Sequence, residues 1–281
     1  MKKIPEKNGI FFKKVIMKYM GSKNKIKKYI LPIILDGMRG YEYYIEPFCG
    51  SLAVIELKKV ACDANPFLIG MWMKLKSDRN YLSYCVERGD IICDGGKYFI
   101  ERDKYLYYRE LYRDRRGNDS KILLGEYFDE TALMGFIGYM GSFNGKFYDG
   151  GYSGKTSTRN YIDEQIRNTL SQVDTLHDII FQCEDYVNLF KRISTYNKPV
   201  IIYCDPPYRG TTDYAYSKNF DHDKFYELCS WMSDLGHRVI ISEYEMPSPQ
   251  FKCIWEMEVT NSLSKTKTYK PVERLFVPNA I

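Results

Sequence analysis

Five short apolar runs, each closed by polar or turn residues, partition the chain: YEYYIEPF (41–48), KKVACDAN (58–65), HDIIFQCED (177–185), KPVIIYCDPPY (198–208) and HRVIISEYE (237–245). Near-continuous apolar runs of this length fit parallel strands buried on both faces better than half-exposed strands, which alternate. Helix-like stretches follow the first four: LAVIELKK, PFLIGMWMKLKS, DYVNLFKRIS and DHDKFYELCSWMSDLG. Strand alternating with helix predicts a doubly wound α/β sheet, in which ligands bind at the carboxyl ends of the strands, where strand order reverses. Four of the runs carry their unusual residues at that end. FKCIWEMEV (251–259) and VERLFVP (272–278) suit an antiparallel hairpin closing the sheet.

The alternation stops between about 77 and 160. ERDKYLYYRELYRDRRGNDSK (101–121) is dense in charge and Tyr, and YMGSFNGKFYDGGYSGKTSTRN (139–160) carries Asn-Gly, Asp-Gly-Gly and Ser-Gly turn signals. This interval reads as an inserted, partly helical module ending in a hairpin or long loop. Hydrophobic residues at 44% and aromatics at 16% exclude a disordered or fibrous chain. No apolar run approaches the ~18 residues of a membrane span, and the N-terminus lacks a signal-peptide apolar region, so a cytoplasmic protein is expected. The eight cysteines are scattered without a CxxC, and no metal or disulfide framework is expected. Residues 1–28 hold ten Lys against the single Glu6, a basic arm suited to an anionic partner such as nucleic acid.

Asp205-Pro206-Pro207-Tyr208 follows the strand PVIIYC directly. Two prolines remove two backbone donors and leave carbonyl oxygens beside a carboxylate, a surface of acceptors. A planar NH2 group could donate to Asp205 and to the Pro206 carbonyl while Tyr208 stacks on the ring that bears it. Glu46-Pro47-Phe48-Cys49-Gly50-Ser51 ends the first strand; Gly50 allows close approach of a ligand to the backbone. Asp63, ending the second strand, is placed to accept from ribose hydroxyls, or to cap the next helix together with Asn65. Lys18-Tyr19-Met20-Gly21-Ser22-Lys23 sets an aromatic and a Lys around a small-residue turn.

In this order the motifs resemble those of the Dam-type DNA adenine-N6 methyltransferases. That family places K-[W/Y]-x-G-[G/S]-K first, then E-P-F-x-G, an acid ending the second strand, a target-recognition insert, and D-P-P-Y. Ser142-Phe143-Asn144-Gly145-Lys146-Phe147 looks like its F-N-G segment, and the resemblance spans about 18–277. It implies a Rossmann-like, doubly wound S-adenosylmethionine-dependent methyltransferase sheet with an inserted, mostly helical target-recognition domain. The divisions expected are a first catalytic part at 1–76, the insert at 77–160 and a second catalytic part at 161–281. It implies S-adenosyl-L-methionine as methyl donor, held by Tyr19, Lys23, Phe48, Gly50, Asp63, Asp185 and Asp205. Asp205, Pro206, Pro207 and Tyr208 would hold a target adenine flipped from double-stranded DNA, in a monomeric enzyme. The sequence departs from the family at Leu52, where a second Gly is common, and at Tyr19, where Trp is commoner.

Arg109, Arg113, Arg115, Arg116 and Lys121, with the N-terminal lysines, are candidates for phosphate contacts; Lys265, Lys267 and Lys270 add another. Asn144, Lys146 and Arg159 are candidates for reading bases. For 101–121 a solvated helix laced with ion pairs such as Glu110–Arg113 remains an equal reading. The acceptor surface at Asp205 also suits the N4 amine of cytosine or an adenine in RNA, and a catalytically silent DNA-binding protein of the same fold is the alternative from another class.

Overall fold

The computed structural model describes residues 16–36, 41, 43–53, 59–154, 158–211, 220–246, 249–259 and 271–279. The N-terminal lysines up to Lys14, most of the helix expected at LAVIELKK, and Lys265, Lys267 and Lys270 lie outside these residues. Nine strands are described: β1 Tyr44–Glu46, β2 Lys59–Asp63, β3 Ile92–Asp94, β4 Lys97–Phe99, β5 Ile179–Cys183, β6 Ile201–Cys204, β7 Arg238–Glu243, β8 Phe251–Glu258 and β9 Val272–Pro278. Helices among them are α1 Lys27–Asp36, α2 Pro66–Ser77, α3 Tyr81–Glu87, α4 Arg102–Arg115, α5 Ser120–Leu123, α6 Phe128–Gly141, α7 Tyr161–Val173, α8 Tyr186–Ile193 and α9 His222–Asp234.

Seven strands form one sheet in the order β5-β2-β1-β6-β7-β9-β8. The first five are parallel, and β9 and β8 run antiparallel at the far edge. Each of the five apolar runs therefore supplies a parallel strand, and the two tail segments supply the expected hairpin. The order reverses between β1 and β6, so Glu46 and Asp205 leave the sheet side by side at the switch point.

Side chains alternate between two helical layers, as the two-residue period of a strand requires. Ile45, Ile202, Cys204, Val239 and Ile241 pack with α8 and α9. Tyr44, Ile201, Tyr203 and Ile240 pack with α1. Ala61 and Ile179 join a third cluster with α2, α4, α6 and α7. The helical residues of the 77–160 segment thus share a hydrophobic cluster with α2. Tyr105, Tyr108 and Tyr112, three and four apart on α4, are its buried stripe. Tyr112 stacks on Tyr148 and meets Phe67 edge-on. Within the turn-rich 139–160 segment, Phe143–Gly145 and Phe147–Gly150 fold as two short 3-10 turns, closed by a Ser142–Tyr152 antiparallel bridge.

Capping follows the local sequence. Asn65, rather than Asp63, caps α2, its side chain accepting from Phe67 and Leu68 N–H, with Pro66 at the first helical position. Asp221 caps α9 and Asp185 caps α8. Among the described residues no helix is long and apolar enough to cross a membrane, and no group of three or more His, Cys, Asp or Glu could hold a metal ion.

Candidate active site

A cleft of about 900 Å³ opens at the carboxyl ends of β1, β2 and β6. Tyr19, Lys23, Phe48, Gly50, Asp63, Asp185, Asp205, Pro206, Pro207 and Tyr208 all line it, so residues up to 189 positions apart in the chain meet in one cavity. Asn144 lines it as well.

At its centre Lys23 Nζ lies 2.8 Å from Asp205 Oδ1, with the lysine side chain 6% and the aspartate 21% exposed. The ammonium also donates to Gly21 O at 3.1 Å and sits 4.5 Å from the centroid of the Tyr208 ring. Burial pulls the Lys23 ammonium down, but Asp205 and Glu273 outweigh it and hold it above the ordinary lysine value. Burial pushes Asp205 up to about 6 against the pull of Lys23, with Glu273 and Glu46 pushing the same way as burial. Glu243, at the end of β7, is pushed up to about 8 by burial.

The second wall is the loop after β1. Gly50 has φ +45, and an added Cβ would stand 3.0 Å from Tyr19 Cε1. Leu52, where the family commonly has Gly, adopts φ +57 and is fully buried. The loop thus keeps a backbone conformation suited to glycine, held by Leu52's packing in the core instead. Asp63 accepts from Gly50 N at 3.4 Å and Asn65 N at 3.0 Å, and burial still pushes it up to about 6. Ser51 Oγ donates to Ser22 Oγ at 3.0 Å, tying this loop to the turn that carries Lys23.

The third wall is aromatic. Phe48 packs against Tyr186, Phe220 and Phe225 with ring centroids 5.7–5.8 Å apart. Asp185 stands beside this corner and lines the cleft; its Oδ1 accepts Val187 and Asn188 N–H at 2.9 and 3.0 Å, and its Oδ2 accepts the Asn188 side-chain amide at 2.5 Å.

Several residues that hold the site were not singled out as functional in the sequence. Trp72, buried on α2, donates its indole N–H to Gly50 O at 3.1 Å. Trp72→Phe keeps most of the apolar volume but strips the Gly50 carbonyl of that donor. We expect a loss of about 1–2 kcal/mol, read as a lower urea midpoint at unchanged m-value. On α7, Gln172 accepts from Met17 N at 2.6 Å and donates to Ser51 O at 3.1 Å. Gln165 accepts from Lys18 N at 2.9 Å and donates to Lys18 O at 2.7 Å. Seven residues apart on one helix face, these glutamines pair the Met17–Lys18 backbone as a strand would. A lone Gln in a helical pattern carries no signal of this.

Apart from Asn144, the candidate DNA contacts of the insert lie outside the cleft lining. Arg109 and Arg113 both pair with Glu110, at 3.2 and 2.8 Å. Arg115 pairs with Glu130 at 3.4 Å and lies over the Tyr127 ring, and Arg116 is exposed at the end of α4. Arg159 is bound by Glu164, which Lys18 also pairs. Lys146 is half-buried beside Asn144, whose φ of +54 turns the chain over the cleft rim.

Residues 19–275 match the D12 class N6 adenine-specific DNA methyltransferases. The chain is also similar to the Retron Ec67 DNA adenine methylase of Escherichia coli, 25% identical over 239 residues that cover 81% of this chain and 76% of that protein. The matched span runs from Tyr19 on the cleft wall to Leu275 on β9 and takes in β1 to β8 with the first half of β9, and the chain belongs to the D12 class N6 adenine-specific DNA methyltransferase family.

Proposed function

We propose that the cleft binds S-adenosyl-L-methionine together with an adenine flipped from double-stranded DNA, and that Asp205 and the Pro206 carbonyl accept the two hydrogens of its N6 amine. The observation that carries this reading is the buried Lys23–Asp205 pair at 2.8 Å, standing at the switch point of the sheet. A cavity of about 900 Å³ suits a nucleoside cofactor and a base together, near the upper end of the roughly 300–1,000 Å³ usual for ligand pockets. The acids around it suit the donor: Asp63 beside the Gly50 loop faces ribose hydroxyls, Asp185 and the Phe48 corner face the adenine, and Tyr19 with Gly50 borders the methionine end. S-adenosyl-L-methionine supplies an electrophilic methyl group when bound.

The protein's part is positional. N6 is a poor nucleophile because its lone pair is delocalised into the ring. Acceptors at Asp205 and Pro206 pull the amine toward tetrahedral geometry and localise that pair. The rigid Pro206-Pro207 backbone holds both acceptors in one orientation, and the low exposure of the site strengthens each bond. Ionised Asp205 then takes the proton released from the methylated amine. Arg109, Arg113, Arg115 and Arg116 contact phosphates, and Asn144, Lys146 and Arg159 read bases, from a monomeric cytoplasmic enzyme.

The reading sets the pH behaviour. Asp205 is a charged acceptor, and a base able to take the released proton, only when ionised, so kcat/KM should rise with pH through about 6 and level off above it. Stability should run the other way. Asp63 and Asp205 titrate higher in the folded chain than the roughly 3.9 of an unfolded Asp, so between about pH 4 and 6 the folded state binds more protons and loses stability as pH rises. A pH–rate profile and urea titrations at both ends of that window check the two slopes. A rate independent of pH from 5 to 8 would count against ionised Asp205. Isothermal titration with S-adenosyl-L-methionine tests the cofactor: no binding to the wild type sinks the reading.

A further inference from the structure

Glu273 belongs to none of the sequence motifs. It stands on β9, the antiparallel strand beside β7, and lines the same cleft. Its Oε2 accepts the Tyr208 hydroxyl at 2.7 Å and lies 3.8 Å from Lys23 Nζ, with the side chain 12% exposed. One carboxylate delivered from the antiparallel side of the sheet therefore holds two of the groups around Asp205.

Both contacts restrict something the Asp-Pro-Pro-Tyr segment cannot restrict itself. The two prolines fix backbone angles but leave the Tyr208 side chain its own rotamers. A hydroxyl anchored at the far end of the ring removes that freedom, and the Tyr244 ring, 4.6 Å away and edge-on, completes the seat. Lys23 lies 2.8 Å from Asp205 and 3.8 Å from Glu273, so its charge is shared rather than spent on one partner. A second anion near the ammonium leaves Asp205 with more acceptor capacity for an amine.

We propose that Glu273 is a positioning residue for methyl transfer: it seats the Tyr208 ring through its hydroxyl and shares Lys23, so that Asp205 meets the target amine in one orientation. The proposal rests on the reading of Asp205 and Tyr208 as the residues that hold that amine.

The test is single-turnover methyl transfer to DNA, with titration of S-adenosyl-L-methionine and thermal melting, for Glu273→Ala, Glu273→Gln, Tyr208→Phe, Glu273→Ala with Tyr208→Phe, and Asp205→Ala. Loss of a hydrogen bond to a charged group should slow Glu273→Ala and Tyr208→Phe each about tenfold or more. Glu273→Gln, which keeps an acceptor for the hydroxyl, should lose less than Glu273→Ala. Because the two residues act through one bond, the double variant should be no slower than the slower single one. Cofactor affinity should stay within about twofold in the Glu273 and Tyr208 variants, a split between rate and binding that general loosening of the fold would not give. Losses that multiply in the double variant, or wild-type rate in Glu273→Ala, overturn the proposal. If Glu273→Ala does not fold, Glu273→Gln with Tyr208→Phe gives the same cycle. Wild-type rate in Asp205→Ala overturns instead the assignment of the amine site on which the proposal stands.

Discussion

Asp205→Ala is expected to reduce methyl transfer by about 10²–10³-fold or more, the scale of losing one preorganised electrostatic contact to the reacting group. DNA affinity should change little, because the phosphate contacts proposed on α4 lie outside the cleft. The substitution removes the carboxylate acceptor for the amine and leaves Lys23, 6% exposed, with Glu273 at 3.8 Å as its remaining carboxylate partner. Methylation-sensitive single-molecule sequencing of DNA from cells expressing the wild type should show N6-methyladenine at one short motif, absent from cells expressing the variant. Gel-shift titration of the purified proteins reads DNA binding separately. N6-methyladenine retained in the variant at wild-type level would remove Asp205 from the mechanism.

Gly145→Ala should be nearly as severe although residue 145 bears no functional group. Gly145 has φ +64, and an added Cβ would stand 1.9 Å from the carbonyl oxygen of Lys18, a backbone atom that cannot swing aside. Either the Phe143–Gly145 turn or the Lys18–Tyr19 segment must move. The latter is clamped at Lys18 by Gln165, next to Met17 held by Gln172, and carries the Tyr19 ring of the cofactor wall. A left-handed conformation alone costs an ordinary residue roughly 1–2 kcal/mol, and overpacking adds about 1–3 kcal/mol. We expect a loss of about 3 kcal/mol in urea unfolding together with cofactor affinity at least tenfold weaker. Wild-type affinity in a normally folded variant would show that the turn does not set the cofactor wall.

Much of the sheet was legible because its signals are local and redundant. The runs ending at Glu46, Asp63, Cys183, Cys204 and Glu243 are mostly apolar, so strands could be read without tertiary information, and the turn or cap after each marked the strand end; burial on both faces fails at β5, the edge strand, where Ile180 is 52% exposed. The Asp205–Tyr208 segment was legible for a similar reason: Pro-Pro beside an acid at a strand end restricts the chemistry to acceptors. Asn65 and Asp63 show where this stops. Both precede α2 and both could cap it, and the pairing of Asp63 with Gly50 N, 13 residues back, decided which one does. Tyr105, Tyr108 and Tyr112 likewise read as part of a charged, Tyr-rich stretch until Phe67 and Tyr148 covered them.

By itself, the sequence determined the strand order of events: which segments become strands, which carboxylates end them, and that an acceptor-lined turn follows β6. Those properties depend on residues adjacent in the chain. The tertiary structure alone decided that Lys23 meets both Asp205 and Glu273, that Trp72 holds Gly50, that Leu52 takes a glycine conformation under core packing, and that two glutamines of α7 serve as a strand partner for Met17 and Lys18. Each of these is a contact between residues far apart in sequence. Its free energy arises from burial and hydrogen bonding that exist only once the sheet has brought those residues together, and no local pattern encodes it.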